Sequence, residues 1–249
     1  MNQEQKYLFD THGYLVLRGV LDATRLSNLN QQMDRLEALA EDQYPEGVVL
    51  GKPRTDNTLF ISNIVEADPA FFQLIDLPPV IDIISETTSG LFRLNHTNAI
   101  SHGRGAYTYV HMGGAPLHPK ATYGVVNGKI FSSLTKAVFP LTNQKIEDGC
   151  FAVIPGSHKS NFERPSDDHP DANPYLVPLD AEPGDCIVFT EALAHGSLVN
   201  QSGHLRRTLY FCYSVGYMPD WGNLGLSFSD GFIDKLSPAQ AEIVRLKAN

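Results

Sequence analysis

The sequence contains few cysteines. The three cysteines, Cys150, Cys186 and Cys212, are an odd count and lie 36 and 26 residues apart. This count and spacing exclude a disulfide framework and a CxxC metal knuckle. Each cysteine lies in an apolar, strand-like run, so we expect three buried free thiols. Histidine, with nine copies, is therefore the metal-capable residue to follow.

The sequence also lacks a basic excess and a long apolar run. Lys and Arg number 19 against 28 Asp and Glu, so the formal net charge is −9. This balance disfavours a nucleic-acid binder, because phosphate recognition needs a basic face. No run approaches the roughly 18 consecutive apolar residues of a membrane span. Asp10 and His12 interrupt the segment where a signal peptide needs apolar residues. We therefore expect a soluble, cytoplasmic protein without nucleic-acid or membrane partners, and the oligomeric state stays open.

The N-terminal third has mostly helical patterning. Asp22 precedes apolar residues spaced three and four apart, which predicts an amphipathic helix over about 23–40. Asp68-Pro69 is typical of a helix N-terminus, and a further helix is predicted over about 79–88. The stretch 41–63 is rich in Pro, Gly and polar residues and is predicted to be a long surface loop.

From Leu91 the pattern changes to short β-rich runs separated by turn residues. The runs are LFRLNHTNAI, YTYVHM, IFSSLTKAVFPL, CFAVIP, YLVPLD, CIVFT and RRTLYFCYSV. Seven candidate strands without helices between them predict an antiparallel sandwich or barrel. A closing helix is predicted from Pro238. We expect one domain over 1–249, with a helical cap over about 1–90 and a β core over about 91–216.

Two residues near the end of the β core are candidates for ligand binding. His195 follows a predicted strand and precedes the small residues Gly196 and Ser197, so it can point into a barrel mouth without crowding an ion. Eleven residues later Arg206 opens the next strand, and an antiparallel return would bring it near the same mouth. Its guanidinium could bind a ligand carboxylate through two parallel hydrogen bonds.

A second histidine, His111, ends the run YTYVH and enters a Gly-rich turn. Two neutral imidazoles from separate strands suit Fe, Zn, Cu or Ni, and one carboxylate more would make the facial triad of non-haem iron oxygenases. The sequence has no Asp or Glu between His111 and Glu147. The third ligand of such a triad is thus missing from its expected place.

Three segments, in order along the chain, resemble the phytanoyl-CoA dioxygenase family of iron(II)/2-oxoglutarate oxygenases. They are Phe9…Gly13-Tyr-Leu-Val-Leu-Arg-Gly-Val20, Asp148-Gly…Ile154-Pro-Gly-Ser-His158 and His195-Gly-Ser-Leu-Val-Asn200-Gln-Ser…Arg206. The eleven-residue spacing from histidine to arginine is the most specific part. The resemblance implies a mainly β fold with a double-stranded β-helix (jelly-roll, cupin-like) core and an N-terminal helical cap.

The resemblance also implies a set of ligands. His111 and His195 would bind iron(II), Arg206 would bind the far carboxylate of 2-oxoglutarate, and dioxygen would be the co-reactant. Thr108, three residues before the first histidine, is a further candidate for 2-oxoglutarate. The substrate would be a small molecule, and it would be anionic if the basic residues of nearby segments surround the barrel mouth. Those residues are Lys52, Arg54, Arg104 and Lys120.

The sequence departs from the family at the first ligand pair. The family usually has His-x-Asp, whereas this chain has His111-Met112-Gly113. Such a replacement resembles the iron/2-oxoglutarate halogenases, in which chloride takes the vacated position. Gly113 is therefore interpreted as an open halide position, and chlorination of an aliphatic carbon is the favoured expectation. The alternatives are hydroxylation with another ligand at iron, for which His118 is a candidate, and a metal-poor binding protein on the same fold.

Overall fold

The computed structural model describes residues 1–51, 55–114, 118, 120–165, 168–219, 221, 228–229 and 231–245. In these ranges the α-helices are α1 (Gln3–His12), α2 (Ala23–Glu37), α3 (Pro69–Phe72), α4 (Pro78–Thr87) and α5 (Pro238–Arg245). The strands are β1 (Tyr14–Leu17), β2 (Val49–Leu50), β3 (Thr58–Ser62), β4 (Phe92–His102), β5 (Thr108–His111), β6 (Tyr123–Val126), β7 (Lys129–Ser132), β8 (Leu134–Pro140), β9 (Phe151–Ile154), β10 (Val177–Pro178), β11 (Cys186–Thr190), β12 (Ala194–Ser197) and β13 (Arg206–Val215). None of the helices described is both long and apolar enough to cross a membrane.

The strands form two antiparallel sheets that face each other, together with a separate β6–β7 hairpin. The large sheet has the order β1-β11-β8-β13-β4-β3-β2, and the small sheet has the order β10-β9-β12-β5. Between them, Val138 and Phe189 of the large sheet pack with Phe151 and Val153 of the small sheet. Alternation along each strand sends one set of side chains into this interior and the other set outward. The jelly-roll core expected from the sequence is confirmed.

The helical cap covers the outer face of the large sheet. Asp22 accepts a hydrogen bond from the Arg25 amide at 2.8 Å, which begins α2, and the buried face of this helix carries Met33 and Leu36. These residues belong to the same buried cluster as Phe211 of β13. The predicted helix is confirmed, and it ends three residues earlier than expected, at Glu37.

An ion-pair cluster fastens α2 to β13. The guanidinium of Arg207 donates from Nη2 to Asp34 at 2.6 Å and from Nε to Glu37 at 2.9 Å. The preceding residue, Arg206, lies on the opposite face of the strand and is buried inside the core. Consecutive arginines therefore serve the two faces of one strand.

The prediction of a loop over 41–63 is wrong in part, because this stretch contains β2 and β3. Strand β3 pairs with β4 along its whole length, and Leu59 and Ile61 are buried. The polar and Pro-rich flanks dominate the composition of the stretch and hide a five-residue strand. That strand is stabilised by pairing with residues some forty positions away in the sequence.

The three cysteines are free and buried, as predicted. Burial raises the pKa of the Cys150 thiol to about 11 and that of Cys212 to about 12. Both thiols therefore stay protonated at neutral pH and pack as small apolar groups.

Candidate metal and cosubstrate site

His111 and His195 lie opposite each other in the pairing of β5 with β12, with their ring centroids 4.1 Å apart. Each ring places Nδ1 against the backbone carbonyl two residues earlier. His111 Nδ1 lies 2.8 Å from the oxygen of Tyr109, and His195 Nδ1 lies 2.7 Å from that of Leu193. A carbonyl can only accept, so Nδ1 carries the proton in both rings and the Nε2 lone pair is left for a ligand.

The two imidazoles are held in the neutral form. The pKa of His111 is lowered, and that of His195 lies well below its ordinary value. Burial is the main cause at both rings. The positive charge of Lys136 contributes in the same direction at both rings. Neutral imidazole is the form that binds a metal.

Glu191, just beyond the end of β11, supplies a carboxylate to this pair. His111, Glu191 and His195 each offer one candidate ligand atom, and these three atoms lie within 4.8 Å of one another. Glu191 Oε2 is 3.9 Å from His195 Nε2. The Glu191 side chain is 1% exposed. Two imidazoles and one carboxylate are the donor set of non-haem iron(II) sites, so the residues present fit such a metal. Glu191 was not predicted from the sequence, although it is a lone acid in the apolar run CIVFTEALAH.

Lys136 of β8 forms a buried ion pair with this carboxylate. Its Nζ lies 2.7 Å from Glu191 Oε2, and the two side chains are 12% and 1% exposed. Although burial acts against the ammonium charge, Glu191 holds the pKa of Lys136 above its ordinary value. Lys136 was also missed in the sequence, where it is the one charged residue of the run IFSSLTKAVFPL.

Gly113 lies outside the strand that carries His111. Strand β5 ends at His111, and the next three residues, Met112, Gly113 and Gly114, have φ values of 62°, 75° and 80°. A Cβ at position 113 would lie 2.5 Å from the Cβ of Ala194 and 2.8 Å from its nitrogen. Glycine is thus required here by backbone conformation and by the close approach of β12.

Ser157, in the Ile-Pro-Gly-Ser-His turn, joins the two histidine-bearing segments. Its Oγ accepts from the Ala194 amide at 2.8 Å, next to His195. Its carbonyl accepts from the Gly114 amide at 3.1 Å, three residues after His111. The turn that contributed to the family resemblance therefore supports the site from outside.

Arg206 is 1% exposed and lies at the start of β13. It donates from Nη2 to Nδ1 of His102 at 3.0 Å and from Nη1 to the carbonyl of Gly149, while its Nε has no hydrogen-bond partner among the described residues. Burial first, and Arg206 second, lower the pKa of His102 to about 3, so this histidine is a neutral acceptor. The guanidinium is held in place by two acceptors, and its buried Nε–H is left for a ligand.

Tyr210 and Thr108 are two further polar residues on the strands that carry Arg206 and His111. Tyr210 shares the inward face of β13 with Arg206, and both Arg206 and Lys136 oppose the rise that burial causes in its pKa. Thr108 lies opposite Ser197, whose Oγ accepts from the Thr108 amide at 2.8 Å. The predicted residues His111 and His195 thus meet directly, Thr108 lies on the strand of His111, and Arg206 lies on β13 of the facing sheet.

The other residues considered in the sequence lie elsewhere. The ring of His118 packs 4.8 Å from that of Trp221, and its Nδ1 accepts from the Lys120 amide, so it is not in the three-residue group. Arg104 donates to the carbonyls of Gln201 and Ser202. Lys52 and Arg54 lie outside the described residues.

Comparison with known protein families identifies the family of this chain. The family profile described as Phytanoyl-CoA dioxygenase (PhyH) matches residues 9–208. The chain belongs to the phytanoyl-CoA dioxygenase family. A probable phytanoyl-CoA dioxygenase of Caenorhabditis elegans is 23% identical over 246 residues, covering 86% of this chain and 75% of that protein. Membership of this family of iron(II)/2-oxoglutarate oxygenases supports an enzyme.

Solved structures of such enzymes share the fold. HygX from Streptomyces hygroscopicus, solved with nickel and 2-oxoglutarate bound, has a TM-score of 0.77 at 24% identity, covering 89% of this chain and 90% of its own. SnoK, a non-haem α-ketoglutarate-dependent carbocyclase from nogalamycin biosynthesis, has a TM-score of 0.65 at 17% identity, covering 96% of this chain and 92% of its own. At these identities the likeness extends to the fold.

Proposed function

We propose that this protein is an iron(II)/2-oxoglutarate oxygenase that inserts oxygen at an aliphatic C–H bond of a small molecule, with His111, Glu191 and His195 as its metal ligands. The observation that carries the proposal is the position of Glu191, which brings a carboxylate to two neutral imidazoles although position 113 has none. When bound, iron and 2-oxoglutarate supply the oxidising chemistry, and the chain supplies binding and orientation.

Each residue of the site has a distinct task in this proposal. The Nδ1–H bonds of His111 and His195 fix the rings so that both Nε2 atoms face the metal position. Arg206, fixed by His102 and Gly149, binds the far carboxylate of 2-oxoglutarate through its Nε–H and a remaining Nη hydrogen. Thr108, on the strand of His111, is the further candidate for 2-oxoglutarate.

The substrate is proposed to be a small molecule. HygX has also been solved with hygromycin B bound, which supports this class. An apolar cluster of Leu134, Cys212, Val215 and Met218, with Trp221 packed against it, continues from the strands that carry Lys136 and Arg206. These side chains are buried, so the cluster is proposed as an apolar wall beside Lys136 against which an aliphatic carbon is held.

Chlorination is the second candidate. Its supporting observation is that Glu191 Oε2 already has a cationic partner in Lys136, so a metal held by two imidazoles would retain a need for an anion. Chloride could fill that need, as the glycine at position 113 first suggested. Oxygenation is preferred because Glu191 faces the histidine pair from within 4.8 Å.

The test of the metal centre is anaerobic titration with Fe(II) and 2-oxoglutarate. The chelated ferrous complex should give a weak visible charge-transfer band, and His111→Ala, His195→Ala and Glu191→Ala should weaken or abolish it. His204→Ala, at a histidine 81% exposed, is the matched control and should keep the band. Absence of both the band and bound metal in the wild type would replace the proposal with a binding protein on the same fold.

Chloride dependence separates oxygenation from chlorination. In a chloride-free buffer the wild-type band should not change when chloride is added, because Glu191 holds the third position. Glu191→Ala should acquire a chloride response, because that position is then open. A chloride-dependent spectrum in the wild type, with an unchanged response in Glu191→Ala, would favour chlorination.

A further inference from the structure

One oxygen atom of Glu191 has two competing neighbours. Oε2 lies 2.7 Å from Lys136 Nζ and 3.9 Å from His195 Nε2, so the oxygen nearest the histidine is the one held by the lysine. We propose that Lys136 competes with the metal for Glu191 and thereby makes tight metal binding depend on a dianionic chelating cosubstrate. This inference rests on the proposed function, because it assumes that the metal binds at His111, Glu191 and His195.

Lys136 stays beside the site because the fold surrounds it. It lies in the middle of β8, opposite Phe189 of β11 and Cys212 of β13, and its side chain is 12% exposed. A buried ammonium group needs an anion nearby, because the loss of its water shell is otherwise uncompensated. A metal that takes Oε2 must therefore share it with the ammonium or leave the ammonium without a full partner.

The other groups whose charges act on Lys136 cannot replace the carboxylate. These are Cys212 and Tyr210. Burial raises the pKa of both groups, so at neutral pH the thiol and the phenol are uncharged. A divalent ion beside Lys136 and Glu191 would thus leave two positive charges uncompensated, since both imidazoles are neutral.

A dicarboxylate such as 2-oxoglutarate carries two negative charges. The carboxylate of its keto-acid end would offset one of the two uncompensated charges at the metal and Lys136, and its far carboxylate would be bound by Arg206. Metal and cosubstrate should therefore bind with positive coupling, and by linkage each should tighten the other by the same factor. Lys136 is a positioning residue in this scheme, because it acts through Glu191.

The experiment is calorimetric titration with Ni²⁺ in chloride-free buffer, with and without 2-oxoglutarate, so no turnover is needed. Wild type should bind Ni²⁺ at least 10-fold more tightly when 2-oxoglutarate is present. Lys136→Met should bind Ni²⁺ alone at least 10-fold more tightly than wild type, because Glu191 is released to the metal. Its gain from 2-oxoglutarate should be smaller than that of the wild type.

Two further variants keep the result interpretable. Lys136→Arg preserves the cation and should retain the wild-type coupling. Lys136→Met/Glu191→Gln removes both charges from the interior and should bind Ni²⁺ more weakly than Lys136→Met. Circular dichroism and thermal unfolding establish that each variant is folded, and if Lys136→Met does not fold, the wild-type comparison of Ni²⁺ affinity with and without 2-oxoglutarate still tests the inference.

The outcomes separate this inference from the proposed function. If Lys136→Met binds Ni²⁺ with unchanged or lower affinity, Lys136 does not compete for Glu191 and the inference is wrong. If wild type binds no Ni²⁺ with or without 2-oxoglutarate, the metal centre itself is wrong. If wild type binds Ni²⁺ equally well without 2-oxoglutarate, the metal centre stands and the coupling is overturned.

Discussion

Arg206 donates a hydrogen bond to Nδ1 of His102 over 3.0 Å, and the two residues face each other across the pairing of β13 with β4. A neutral histidine is therefore one of the acceptors that fix the arginine expected to bind 2-oxoglutarate. His102 has no place in the family resemblance, and only the strand register shows its role.

Replacing His102 by Phe should weaken 2-oxoglutarate binding about 10-fold, because the guanidinium loses a charge-assisted hydrogen bond worth roughly 1.5–3 kcal/mol. The affinity can be measured by titrating 2-oxoglutarate into the Ni²⁺-loaded protein. Arg206→Met should abolish binding in the same assay. An affinity for His102→Phe equal to wild type would show that Gly149 alone positions the arginine.

Stability should fall as the pH is lowered from about 6.5 toward 4. Burial lowers the pKa of His158 from 6.5 to about 4, so between these values the unfolded chain binds a proton that the folded chain does not. This residue alone should remove about 3 kcal/mol from the free energy of unfolding over that range. Urea unfolding at several pH values measures the effect, and His158→Gln should flatten the dependence. An equally steep dependence in His158→Gln would exclude His158 as a cause.

Gly113→Ala should destabilise the protein more than Gly128→Ala. The two glycines have nearly the same φ, 75° and 74°, so both substitutions incur the left-handed conformation, about 1–2 kcal/mol. At Gly128 an added Cβ meets no atom within 4 Å, whereas at Gly113 it meets Ala194 at 2.5 Å. Urea unfolding of the two variants isolates the steric part. Equal losses would show that β12 moves aside, and Gly113→Asp would then become a fair attempt to supply a carboxylate there.

Ser157→Ala should weaken metal binding by several fold and reduce stability by about 1 kcal/mol, because the Ala194 amide loses its acceptor next to His195. Ni²⁺ titration and thermal unfolding measure the two effects. Ser160→Ala is the matched control, since its hydroxyl bonds only within its own turn, to Phe162. A loss of stability without a change in metal affinity would mean that the turn supports the fold and not the ligands.

Arg207→Gln should lower stability and leave 2-oxoglutarate affinity unchanged. The substitution removes the contacts with Asp34 and Glu37 that fasten α2 to β13, while Arg206 keeps its own partners. Thermal unfolding and 2-oxoglutarate titration should therefore separate the two neighbouring arginines. A large change in affinity would mean that the helical cap is coupled to the cosubstrate site.

The sequence was sufficient for features that depend on local patterns. Periodicity and capping predicted α2, and uninterrupted β-rich runs predicted β11 and β13 within a residue or two of their ends. Strand β3 was missed because its stability comes from pairing with β4 and not from its own composition.

The candidate site was predictable only in part. His195 and Arg206 stand in a spacing that a family resemblance can supply, and His111 ends a predicted strand. Glu191 is outside that spacing: it lies in the short link between β11 and β12, four residues before His195, and only the folded chain shows that it also meets His111. The absence of a carboxylate at Gly113 was noted correctly, but its steric reason, the approach of Ala194, is visible only in three dimensions.

Strand β13 begins with two adjacent arginines, so its register decides which of them lies in the interior. A slip of one residue against β4 and β8 would turn Arg207 into the interior and Arg206 outward. Each face would still carry one arginine, so charge alone opposes the error only in part. The apolar residues of β13 from Leu209 to Val215 must therefore set the alignment, and with it the position of the buried guanidinium.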